Sequence, residues 1–106
     1  MAENQWTFLT NHCHVLVMVY REPRARLRDI ADVVGITERA AHRIICELKS
    51  AGYLEVVKEG RRNRYEIRGD LPLRHPLEAR HSARELVELL SDDGLIGPIL
   101  EKASGA

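Results

Sequence analysis

Residues 27–48 read LRDIADVVGITERAAHRIICEL, and the way this stretch divides decides the fold. From Arg28 to Val34, the residues Ile30, Ala31, Val33 and Val34 form an apolar helical stripe, with Asp29 in the first turn. Gly35 stops that helix. Thr37 then offers a side-chain oxygen as cap for a second helix, and Glu38 sits where the helix dipole favours a carboxylate. The second helix continues through Ala40, Ala41, Ile44, Ile45 and Leu48 to Ser50 or Ala51, where Gly52 ends it.

Two short helices joined by three or four residues make a helix-turn-helix, whose geometry sets requirements that can be checked residue by residue. The turn needs a residue that tolerates positive φ, and Gly35 supplies it. The helices cross closely, so a small side chain is wanted, and Ala31 stands four residues before the glycine. Ile30, Val34, Ile36, Ala41 and Ile44 are available to lock the pair together.

Upstream, Leu9, Cys13, Leu16 and Tyr20 recur at helical spacing despite the Val-rich run VLVMVY, which predicts a helix from Asn11 to Tyr20. Thr10 or Asn11 can cap it, and Glu22-Pro23 ends it. Downstream, Tyr53–Lys58 and Arg64–Arg68 alternate as strands around Glu59-Gly60-Arg61-Arg62-Asn63, a basic-tipped hairpin turn. After a connector over 69–76 with two prolines, Leu77 to Leu90 reads as an amphipathic helix, and 95–103 as a short final one. The expected architecture is α+β and mostly helical. A three-helix core with a hairpin spans 1–70, and a helical segment spans 71–106.

The formal net charge is zero, but it is unevenly spread. Residues 24–68 hold eleven Lys/Arg against seven Asp/Glu, a net of +4, whereas 69–106 hold four against seven, a net of −3. A basic middle and an acidic end suit an anion-contacting region followed by an assembly region. No apolar run reaches the length of a bilayer span, and MAENQWTFL does not read as a signal peptide. Two cysteines, Cys13 and Cys46, are too few for a disulfide framework, so a reducing cytoplasm is expected.

The stretch 27–48, with its continuation LKSAGYL over 48–54, resembles the winged helix-turn-helix of MarR- and ArsR-like prokaryotic regulators. The resemblance covers about residues 10–70. It implies a homodimer that binds double-stranded DNA and regulates transcription, with a repressor expected, and a recognition helix over 37–51 in the major groove. On that helix Thr37, Glu38, Arg39, His42 and Arg43 would face bases and phosphates. The wing residues Lys58, Arg61, Arg62 and Arg64 would follow the backbone or minor groove, with Arg26 and Arg28 anchoring the flanking backbone. Arginine can bond bidentately to guanine, whereas phosphate contacts provide affinity without sequence information.

Leu86, Leu89, Leu90, Ile96, Ile99 and Leu100 are more apolar surface than a monomer of this size covers, which predicts a dimer interface. Twofold symmetry would set the recognition helices about 34 Å apart, on a pseudo-palindromic site. His42 and Cys46 share a helical face, but two ligands are not a metal site, so no metal or other cofactor is expected. Enzymatic readings fail for want of a glycine-rich phosphate loop, a nucleophile–base pair or paired carboxylates. The rival reading is a winged-helix module for protein assembly without DNA binding. MarR-like proteins often take ligands between their DNA-binding and dimer helices, but the flanking helices here are short, and no effector is identified.

Overall fold

The structure, a computed structural model, describes residues 6–91. Its elements run α1 (Asn11–Arg21), α2 (Leu27–Val34), α3 (Glu38–Ser50), β1 (Leu54–Glu59), β2 (Arg62–Ile67) and α4 (Ala83–Leu90). This is an α+β arrangement of four helices and one antiparallel hairpin, in a winged-helix-like layout.

The Val-rich run is helical because burial outweighs the strand preference of its β-branched residues. Thr10 caps α1 by accepting the Cys13 N–H at 3.3 Å, and Val15, Leu16, Met18 and Val19 form its buried face. Against them lie Ile30 and Ala31 of α2 and Ala41, Ile44, Ile45 and Leu48 of α3. Leu54 and Tyr65 close this core from the hairpin, and Ala83 and Val87 close it from α4.

Between α2 and α3 the chain reverses at Gly35, which has φ 87° and ψ 35°. The Ala31 carbonyl accepts both the Gly35 N–H at 2.8 Å and the Ile36 N–H at 3.0 Å. A Cβ at position 35 would meet nothing within 4 Å, so glycine is required by the left-handed backbone alone. Thr37 then starts α3 as expected, accepting the Ala40 N–H at 3.0 Å.

The hairpin differs from the sequence expectation. Glu59 pairs with Arg62, so the turn is the two residues Gly60-Arg61 instead of five, and β2 begins at Arg62 instead of Arg64. Gly60 takes φ 61° while no non-glycine among the described residues has positive φ, the pattern of a type II′ hairpin turn. The Tyr65 N–H donates to the Pro23 carbonyl at 2.8 Å, tying the hairpin to the α1–α2 connection.

The C-terminal helix also starts later than its apolar spacing predicts. Residues 76–80 form turns, Pro72 bridges to Ser82, and α4 begins at Ala83. The cause is a capping box: the Ser82 hydroxyl accepts the Glu85 N–H, and the Glu85 carboxylate accepts the Ser82 N–H at 2.7 Å. Replacing Ser82 by alanine is expected to cost about 1 kcal/mol. A thermal melt should show this as a Tm lower by roughly 4–8 °C. The Ser82 N–H, followed by His81, holds the Glu85 carboxyl below its ordinary value of 4.5. The cap's contribution is therefore present above that pH and lost on acidification. The final helix expected over 95–103 lies outside the described residues. No helix among the described residues is long and apolar enough to cross a membrane.

Candidate nucleic-acid interface

Burying Ala41, Ile44, Ile45 and Leu48 turns the other side of α3 outward. Thr37, Glu38, Arg39, His42 and Arg43 are all exposed there, with Cys46 a turn further on. The Thr37 oxygen is engaged as the cap, which leaves its hydroxyl proton free to donate. Glu47 is drawn away toward α1, where its Oε1 lies 2.6 Å from His12 Nε2. Among the described residues Glu38 has no ion-pair partner, at the start of the exposed face.

A cleft of about 540 Å³ runs between α3 and the hairpin. Leu27, Ile45, Val56 and Tyr65 form its apolar floor, and the exposed Arg26, Lys49, Arg61 and Arg62 stand at its rim, with no carboxylate among the described residues that line it. The fold thus joins the start of α2, the exposed side of α3 and the wing tip in one surface. Arg28 and Lys58 are exposed but do not line the cleft. Lys49 and Asn63 do, and the sequence reading passed over both. For Lys49 the signal was available: positions 42, 46 and 49 share one helical face.

Register sorts the charges. Glu55, Val57 and Glu59 share the outer hairpin face with Arg62, Arg64 and Glu66. On that face Glu59 accepts from Arg64 Nε at 2.7 Å and from Arg24 Nε at 3.1 Å, and Glu66 accepts from Arg64 Nη1. Arg68 holds Glu55 at 2.6 Å, so the directly opposed pair Glu55 and Glu66 are each neutralised by an arginine. Hydrogen bonds from Arg64 and then Arg24 keep the Glu59 carboxyl below its ordinary value. Glu66 and then Glu59 raise the Arg64 guanidinium further above its already high one. Arg62 instead donates from Nη2 to the Arg24 carbonyl at 2.8 Å.

By contrast, Arg26, Arg28, Arg39, Arg43, Lys49, Lys58 and Arg61 have no carboxylate partner among the described residues. Arg74, Arg80 and Arg84, outside this region, and the carboxylates Asp29, Asp32 and Glu38 within it, likewise have no ion-pair partner among the described residues, so what sets the hairpin apart is that its outer-face charges are paired. Neither a family model nor a curated protein sequence matches this chain.

His42 and Cys46 touch, with the sulfur 3.8 Å from Nε2 and 3.9 Å from Nδ1. No group of three or more possible metal ligands occurs among the described residues. The two thiols differ in setting. Cys46 is exposed, whereas burial, and then the Glu78 charge, pushes the Cys13 thiol up to about 11. At pH 8 this leaves roughly one Cys13 in a thousand as the reactive thiolate. One equivalent of N-ethylmaleimide is expected on Cys46, and a Cys46→Ser variant should alkylate about a hundredfold more slowly than a thiol with the ordinary value of 9.0. Mass spectrometry of the labelled protein checks both.

The expected dimer residues divide. Val87 is the fully buried member of the α4 run, Leu86 is half-buried, and Leu89 and Leu90 are 68% and 38% exposed. Ile96, Ile99 and Leu100 lie outside the described residues. Trp6 and Phe8, which no sequence pattern singled out, are exposed and stack edge to face with centroids 4.9 Å apart.

Proposed function

We propose that this protein is a winged helix-turn-helix DNA-binding regulator of the MarR- and ArsR-like kind, acting as a homodimer in the cytoplasm. The observation that carries the reading is the charge division. Ion pairs cancel on the outer hairpin face, while Arg26, Lys49 and Arg61 at one cleft, and Arg28, Arg39, Arg43 and Lys58 outside it, have no carboxylate partner among the described residues. Unpaired cations on a convex helix beside an apolar-floored cleft suit a duplex, whose phosphates demand countercharge and whose groove admits a helix. In this reading α3 enters the major groove, with Arg39, His42 and Arg43 at base edges and Thr37 donating to a phosphate. Arg26, Arg28, Lys58 and Arg61 meet the flanking backbone. Arg62 and Arg64 support the wing more than they contact DNA, since both are engaged within the protein. Dimerisation would use the exposed Leu89 and Leu90 together with the acidic C-terminal segment.

Fluorescence anisotropy with a random-sequence duplex and with the chain's own upstream DNA, across a salt series, tests this. Tight binding to the upstream DNA, weakened steeply by salt, supports a sequence-specific regulator. Equal binding to both duplexes would make it an architectural binder. Exposed Trp6, Phe8, Leu77 and Leu89 favour a second reading, a protein-assembly module. Absence of binding to either duplex at low salt would select that one.

A further inference from the structure

Glu59 is the one carboxylate of the hairpin, among the described residues, that holds two arginines from different parts of the fold. Arg24 reaches it from the α1–α2 connection and Arg64 from the neighbouring strand. It stands immediately before the Gly60-Arg61 turn, at the end of the wing that the proposed interface uses. Ion pairs this exposed contribute little to stability, so folding alone gives little reason for the arrangement. Nor is Glu59 needed to hold the wing in position. The Tyr65 N–H on the Pro23 carbonyl and Arg62 Nη2 on the Arg24 carbonyl, both at 2.8 Å, already pin the hairpin to that connection.

We propose that Glu59 restrains the wing's affinity for nucleic acid: it holds the Arg24 guanidinium against the outer hairpin face and so withholds one cation from the phosphate backbone. This rests on the DNA-binding reading above. Arg24 is the group at issue because its side chain is largely exposed and Glu59 is its only carboxylate partner among the described residues, whereas Arg64 is also held by Glu66 and is three-quarters covered. A backbone contact carries no sequence information and strengthens binding to any duplex. Withholding one keeps the protein from lodging on random DNA.

The experiment measures binding of a random-sequence duplex by anisotropy between 50 and 200 mM salt, concentrations of the range over which phosphate contacts are lost. It compares wild type, Glu59→Gln, Arg24→Ala and the double variant. Each added phosphate contact steepens the dependence of log affinity on log salt by about 0.9. Glu59→Gln is therefore expected to steepen the slope by about 0.9 and to raise affinity about fivefold to tenfold near 0.1 M salt. Arg24→Ala alone should leave the slope unchanged, because that arginine is not engaged. In the double variant the gain should disappear. Equal slopes for wild type and Glu59→Gln would overturn the proposal. So would a gain that survives in the double variant, which would assign the effect to carboxylate repulsion alone. A slope shallower by about 0.9 in Arg24→Ala would also overturn the proposal, since Arg24 would then already contact phosphate with Glu59 in place. Wild type that binds no duplex at 50 mM salt would remove the DNA-binding reading and this inference with it. Wild type that binds with unaltered variants removes this inference only.

Discussion

Replacing Arg39 and Arg43 together by alanine is expected to lower affinity for the chain's own upstream DNA by at least about thirtyfold at fixed salt. A bidentate arginine–guanine contact discriminates by about 1–3 kcal/mol, and about 1.4 kcal/mol is a factor of ten. Both side chains lie on the exposed side of α3, and neither has a carboxylate partner among the described residues. Their removal should therefore leave the melting temperature almost unchanged, as surface substitutions usually do. Arg61→Ala is the informative contrast. A wing-tip phosphate contact should weaken all duplexes alike and flatten the salt slope by about one. If the double α3 variant lost affinity equally on upstream and random DNA, α3 would be a phosphate-binding helix and base reading would lie elsewhere. If it lost none, α3 would not face DNA.

The helix-turn-helix geometry was legible in the sequence because its signals are local. Gly35, the Thr37 cap and the apolar spacing from Ile30 to Leu48 each act within one or two turns, and they agree. The start of α4 was misread for a related reason. Leu77 keeps helical phase with the leucines that follow, but it is 89% exposed, and the chain enters the helix only at Ser82. The sequence Ser82-Ala-Arg-Glu85 carried the correct signal, a serine with glutamate three residues on. What could not be read was which cations are free. That depends on strand register, which the turn length sets, and a five-residue turn leaves Arg61, Arg62 and Asn63 outside the ladder. Once Glu59 pairs with Arg62, the alternation brings Glu59, Arg64 and Glu66 to one face. Arg24 then reaches the same face from thirty-five residues away, a contact no local pattern encodes.

Ile30→Ala should be among the most damaging single substitutions for the fold, lowering stability by about 2–5 kcal/mol. Ile30 is fully buried and belongs to the short helix that packs against both α1 and α3. Its truncation leaves a cavity that three elements border, and eight residues of α2 give little scope for collapse onto it. Small domains have total stabilities of roughly 5–15 kcal/mol, so the loss is a large share of the whole. Circular dichroism should record a melting temperature lower by more than about 10 °C. Ile30→Val, which deletes one methylene, should cost only about 0.5–1.5 kcal/mol. The consequence for the site follows from the shared core. The buried side of α3 shares one core with the wing, with Ile44, Ile45 and Leu48 in the same cluster as Leu54 and Tyr65. Binding by Ile30→Ala should thus match wild type well below its melting temperature and vanish along with the helical signal. Arg39→Ala/Arg43→Ala should do the reverse, losing binding while fully folded. A melting temperature that falls by less than 3 °C in Ile30→Ala would mean that α2 is not held through Ile30. The geometry of the whole exposed face would then need another support.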